Sequence, residues 1–132
     1  MLMGLNHLTL AVTDLDASLA FYERLGFRRS ARWRQGAYLE LGNIWLCLAL
    51  RVSVKLREDD SHIAFSTTQA GLHELRRVLP QGAIWQQNKS EGDSLYFVDP
   101  DGHKLEAHVG NLATRLAHLK ENPYEALELG SA

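Results

Sequence analysis

Three side chains in this sequence have the types and spacing that suit a divalent cation. His7 stands in GLNHLTLAV and His62 in DSHIAFS, in nearly the same frame of two short strand-like segments, and Glu106 stands in YFVDPDGHKLEAHVG. Two imidazoles and one carboxylate tolerate Mn2+, Fe2+, Zn2+ and Ni2+, and affinity alone does not choose among them. Three protein ligands leave coordination positions open for water or substrate, as a Lewis-acid site requires and a closed structural site does not. Strand alternation supports the set. Leu8, Leu10 and Val12 face one way, leaving His7 and Thr9 together on the other; Ile63 and Phe65 face away from His62; Leu105, Ala107 and Val109 face away from Glu106. A carboxylate buried there needs the compensation that a cation supplies. The plainer reading has the histidines hydrogen-bonded inside a sheet and Glu106 solvated. Cys47, flanked by Trp45, Leu46 and Leu48, reads as a small packed hydrophobe rather than a fourth ligand.

The elements that must position these groups are spelled twice. Residues 5–12 read as a strand, 14–25 as a helix, and 27–33, 36–41 and 44–50 as three strands; then 61–66 read as a strand, 69–78 as a helix, and segments near 83–86, 93–98 and 103–109 as strands. The expectation is an α+β chain of two βαβββ modules, 5–50 and 61–109, within one domain spanning 1–132, followed by a C-terminal helix and tail over 111–132. Aligned on their last hairpins, the GNIWLC and GHKLEA ends overlay and place Cys47 opposite Glu106. Asp14 or Thr13 can cap the first helix, whose Leu15, Leu19, Tyr22 and Leu25 recur at helical spacing before Gly26. RVSVKLREDD at 51–60 reads as the linker between modules. DPDG at 99–102 is a turn between strands, beside which His103 reads as an exposed loop histidine. Pro123 ends the helix predicted over 111–121.

Composition bounds the function. The chain has 132 residues, 45% of them hydrophobic, enough for one core. A net charge of −2 without a basic run argues against broad attraction to nucleic acid or anionic lipid. A single cysteine excludes an internal disulfide framework, the start lacks the pattern of a signal peptide, and no run approaches a membrane span, so a reducing cytoplasm is the expected location.

The segments GLNHLTLAV, GAYLELGNIWLCL, NKSEGDSLYF and DPDGHKLEAHVGNL occur in the order found in a known family. On them, nearly the whole chain resembles the vicinal oxygen chelate (glyoxalase-like) superfamily and, within it, the glutathione-dependent fosfomycin-resistance transferases of the FosA type. The resemblance implies a homodimer, domain-swapped across its paired modules, in which His7 of one subunit joins His62 and Glu106 of the other around Mn2+. It implies fosfomycin and glutathione as substrates, with the glutathione thiolate opening the epoxide. It places Thr9 beside the developing oxyanion, Tyr38 near the glutathione thiol and Trp45 in the pocket wall. Ser90, Tyr96 and Arg115 match the groups that bind the phosphonate, and the loop NKSEGDS matches a potassium site built from Asn88, Ser90, Gly92 and Ser94 with Glu91 nearby. Trp33 and Trp85 are left to packing.

Two positions depart from that pattern. Gln86 stands where the FosA type commonly has a lysine, and Asp60 where a tyrosine is usual; an amide donates a hydrogen bond without charge, and an unpaired carboxylate repels an anion. The linker before His62 is also shortened. Three other functions share the framework. A glyoxalase-type lyase needs a second carboxylate where Cys47 stands, a fosfomycin hydrolase needs a base such as Glu40, and a drug- or metabolite-binding module would line its pocket with Tyr38, Trp45 and Tyr96.

Overall fold

The computed structural model describes residues 1–130; the last two residues of the tail predicted over 111–132 lie outside the described residues. The chain divides into two compact units, one of Met1–Ser61 with Val98–Lys104, the other of His62–Phe97 with Leu105 onward.

The first unit runs β1 (Leu8–Val12), α1 (Leu15–Arg24), β2 (Arg28–Trp33), β3 (Gly36–Leu41) and β4 (Ile44–Leu50). Its sheet has the order β1-β4-β3-β2, with β1 parallel to β4 and both hairpins antiparallel. Val12, Ala37, Leu39, Leu46 and Leu48 are buried, as are Leu15, Leu19 and Tyr22 of α1. The two periods, two in the strands and about 3.6 in the helix, thus give one apolar interface. Asp14 caps α1 by accepting from the Ala17 amide at 3.0 Å, and Gly26 ends it at φ +112°. Thr13, the other candidate cap, instead gives its amide and hydroxyl to Asp101, at 3.0 and 2.6 Å.

The DPDG turn belongs to this unit. Asp99 accepts from the amides of Asp101 and His103 through one oxygen and from the Tyr22 hydroxyl, at 2.7 Å, through the other. His103 is not the exposed loop histidine expected: it is partly buried, with Nε2 2.7 Å from the Ala11 carbonyl. Local turn chemistry did not reveal this use because the carbonyl it meets lies far away in sequence.

The second unit repeats the pattern with β5 (Ile63–Ser66), α2 (Gln69–Val78), β6 (Ile84–Gln86), β7 (Asp93–Val98) and β8 (Lys104–Val109), then adds α3 (Leu112–Glu121). Strand order is β5-β8-β7-β6, with β5 parallel to β8. Thr68 caps α2, which stops before Pro80 with Leu79 extended. Asn111 and Thr114 form a reciprocal cap on α3. Leu72, Leu95, Phe97, Leu105, Ala107 and Leu119 supply the apolar core.

Equivalent registers bear out the module alignment. Leu8 pairs with Leu46 and Thr9 with Cys47; Ile63 pairs with Leu105 and Ala64 with Glu106. Cys47 and Glu106 hold the same place in the two sheets. Both histidines precede their strands by one residue instead of lying within them.

Candidate functional site

In the second unit β8 carries the carboxylate and the start of β5 carries the imidazole. His62 Nε2 lies 2.8 Å from Glu106 Oε1. The second oxygen, Oε2, accepts from the Ser94 hydroxyl at 2.6 Å, and that hydroxyl is also 2.6 Å from His108 Nδ1. Glu106 is only 6% exposed. The solvated Glu106 of the plainer reading is therefore replaced by a buried one, and the reason is that β8 is covered on both faces: Leu105 and Ala107 are buried on one, Glu106 on the other. A carboxylate this far from water is tolerable because both oxygens accept hydrogen bonds.

Aromatic rings fix the imidazole. Trp85, expected only to pack, meets the His62 ring at 5.4 Å between centroids and Tyr96 at 5.2 Å, while its Nε1 donates to the Leu105 carbonyl at 3.0 Å. Tyr96 is buried and also meets His62. Beside this group a cavity of about 480 Å³ has Arg76, Gln86, Asn88, Asp93, Ser94 and Tyr96 among its lining residues. Gln86, the departure from the family lysine, thus borders the space next to Ser94 and Tyr96.

The loop before β7 folds on itself. The Asn88 side-chain amide donates to the Gly92 carbonyl at 2.7 Å, its oxygen accepts from the Ser90 amide at 3.2 Å, and Gly92 turns at φ +79°. Arg115 of α3 reaches this loop, its Nε 3.3 Å from Glu91 Oε2 and its Nη2 3.3 Å from Ser90 Oγ and 3.2 Å from the Glu91 carbonyl. Ser90, Glu91 and Arg115 therefore stand together, although residues 90 and 115 come from different elements. The Ser94 hydroxyl, at the start of β7 after this loop, is engaged by Glu106 and His108.

The first unit carries the other half of the predicted residues. His7 Nδ1 lies 2.7 Å from Asn6 Oδ1 and its ring stacks at a tilt on Trp45, 4.5 Å between centroids. With Nδ1 held by Asn6, Nε2 is the nitrogen available to a metal. Thr9, Cys47 and Tyr38 form one row across β1, β4 and β3. Together with His7, Trp33 and Trp45 they line a cavity of about 440 Å³, which Gln35 and Arg51 also border. Trp33, expected in packing, is 44% exposed and meets Tyr38 edge-on at 4.8 Å. Cys47 is buried, in keeping with its reading as a small hydrophobe.

Among the described residues no three His, Cys, Asp or Glu side chains gather as a cage. The structure brings His62 to Glu106 and sets His7 with Asn6 and Trp45. The donor chemistry fits a borderline divalent ion: one buried carboxylate, an imidazole nitrogen already within 2.8 Å of it, and a second oriented imidazole. Glu40, the base a hydrolase would need, is engaged by Arg28 and Ser30. Those contacts hold its carboxyl below the usual range, chiefly through the Arg28 hydrogen bond, which makes it a weaker base. In the segment before Asp60, Arg57 pairs with Asp59 and holds that carboxyl well below its ordinary value.

Sequence reasoning missed Asn6, Trp85 and His108. Asn6 adjoins His7 and its short amide was a visible signal; Trp85 and His108 act on neighbours from other strands, which alternation within one strand does not reveal.

Residues 4–107 match the model of the Glyoxalase/Bleomycin resistance protein/Dioxygenase superfamily. The chain is 51% identical to the glutathione transferase FosA of Serratia marcescens, over 96% of this chain and 95% of that protein. It is 36% identical to the metallothiol transferase FosB of Shouchella clausii, over 96% and 94% of the two. Among solved structures, the fosfomycin resistance protein FosX of Listeria monocytogenes, complexed with Mn(II) and sulfate, superposes with a TM-score of 0.74 at 26% identity, covering 89% of this chain and 98% of that one. Two βαβββ units of matching register, and a relative of this identity along almost the full length, place the chain in the Glyoxalase/Bleomycin resistance protein/Dioxygenase superfamily and, within it, in the family of the Serratia marcescens glutathione transferase FosA.

Proposed function

We propose that this protein inactivates fosfomycin by metal-dependent addition of glutathione to its epoxide. The observation that carries the reading is the buried Glu106 held against His62 and Ser94, in a chain half identical to a glutathione transferase. His62 and Glu106 would hold Mn2+ together with the partner subunit's His7, in a homodimer whose modules are exchanged; the Mn(II) complex of the FosX relative supports that choice of ion. When bound, the cation supplies Lewis acidity where negative charge develops on the epoxide oxygen.

The chain's own residues do the rest. Thr9, on the same face as Tyr38 and Cys47, donates its hydroxyl to the opening oxygen. Tyr38 would relay the proton of the incoming thiol, a role supported by its 37% exposure and by its lining the same cavity as His7. The thiolate forms the new C–S bond as the C–O bond breaks, and the alkoxide regains a proton. Trp45 walls the pocket. Ser90, Tyr96 and Arg115 would grip the phosphonate, for which hydroxyls and a forked guanidinium are suited. Potassium at the loop of Asn88, Ser90, Gly92 and Ser94, with Glu91 nearby, would offset phosphonate charge as an activator. A reducing cytoplasm, where glutathione is a thiol, is the matching location; among the described residues no helix is long and apolar enough to cross a membrane.

The test incubates Mn2+-loaded protein with fosfomycin and potassium, with glutathione, cysteine or bacillithiol in separate reactions, and reads products by mass and phosphorus NMR. An adduct of glutathione is the expected result. A diol formed without thiol would assign a hydrolase, and tight binding without product a sequestering protein.

A further inference from the structure

We infer that His108 is a positioning residue for Glu106, acting through Ser94; the inference rests on the metal reading above. The Ser94 hydroxyl has one proton, and its 2.6 Å contact with Glu106 Oε2 uses it, because a carboxylate only accepts. The second 2.6 Å contact of that oxygen, with His108 Nδ1, must then be filled by a proton on Nδ1. The chain His108 Nδ1–H, Ser94 O–H, Glu106 Oε2 leaves Oε1 directed at His62, and its two 2.6 Å legs are shorter than the direct 3.5 Å separation of Nδ1 from Oε2. Without His108 the Ser94 hydroxyl loses the donor that sets its direction, and Glu106 loses one of the restraints on its rotation.

The ring of His108 is itself tightly seated. A Cβ at Gly92 would lie 2.8 Å from its Cε1, and one at Gly110 would lie 2.8 Å from its Nε2. Both glycines have positive φ, +79° and +141°, so bare backbone on two sides makes room for the imidazole. The side chain is 14% exposed, and the backbone is pinned by the Thr67 amide donating to its carbonyl at 2.9 Å. An imidazole held this way transmits the position of the loop ending at Gly92 to the carboxylate on β8. Partners that orient a metal ligand in this manner govern affinity without touching the ion.

The experiment measures Mn2+ affinity from the electron paramagnetic resonance of the free ion, in His108→Asn, His108→Gln and His108→Leu proteins, beside thermal unfolding of the metal-free forms. Asn places an amide donor near Nδ1 and Gln places it near Nε2. His108→Asn is expected to keep most of the affinity, whereas His108→Gln and His108→Leu each lose about 10- to 100-fold. In a Ser94→Ala background, His108→Gln should add much less loss than it causes in the parent, because the route through the hydroxyl is already cut and only the 3.5 Å approach of Nδ1 to Glu106 Oε2 remains. Equal affinity in the Asn and Gln proteins, or additive losses with Ser94→Ala, would overturn the inference while the parent still binds Mn2+. A parent that binds no Mn2+ would sink the metal reading and this inference with it. Should His108→Leu fail to fold, the Asn and Gln pair carries the comparison.

Discussion

Glu106 is the side chain on which the proposed chemistry turns. Its burial is bearable only with partners, so removing His62 or supplying a cation changes its state more than it would at a surface. Substituting His7, His62 or Glu106 by alanine should each abolish most Mn2+ binding at about one ion per chain, measured by calorimetry; unchanged affinity would remove that residue from the ligand set. Arg115 offers a second residue-level test. Hydrogen bonds to charged groups are worth about 1.5–3 kcal/mol, so Arg115→Ala should raise the KM for fosfomycin by about 10- to 100-fold with less effect on kcat. Gln86 borders the cavity with Ser94 and Tyr96 but brings no charge there. Gln86→Lys is expected to lower the KM for fosfomycin, and a KM equal to the parent's would place residue 86 away from the phosphonate.

At the scale of elements, the helix of the first unit is tied to the DPDG turn by a buried polar contact. The Tyr22 phenol donates to Asp99 at 2.7 Å, and burial with the neighbouring carboxylate raises its pKa far above the ordinary value of 10.0. A folded-state pKa above the unfolded one gives stability that is complete below the unfolded value and is lost as pH rises beyond it. Stability of the parent should therefore hold through neutral pH and fall above about pH 10 as the unfolded phenol ionises. Tyr22→Phe should cost about 1.5–3 kcal/mol at pH 7 and flatten part of that alkaline loss, as read by denaturant unfolding across pH. A parent and variant with the same alkaline slope would show that other groups set it.

For the whole molecule, the proposed centre needs two subunits. His7→Ala and Glu106→Ala proteins, each inactive alone, should regain activity when mixed and allowed to exchange. In a mixed dimer one of the two sites keeps His7 from one subunit and His62 with Glu106 from the other. Random exchange predicts recovery to about a quarter of parent activity. No recovery, with exchange verified by native mass spectrometry, would argue against sharing.

Much of the architecture was legible before folding because it is written in local periods. Alternation marked the strands, helical spacing marked Leu15, Leu19 and Tyr22 for burial, and the repeated hairpin placed Cys47 opposite Glu106, as the paired registers show. Identity of side chains likewise told which groups can ligate a metal. What local pattern did not carry was which distant groups meet. Ser94 and His108 on Glu106, Trp85 on His62, and His103 on the Ala11 carbonyl each join segments whose approach depends on strand order and register. Alternation assigned β8 one apolar face, and only the tertiary structure brought His62 and Ser94 onto the two oxygens of Glu106 and left it a buried carboxylate. A residue's type limits what it can do, but its protonation, direction and partners are set by neighbours that the chain supplies only once it has folded.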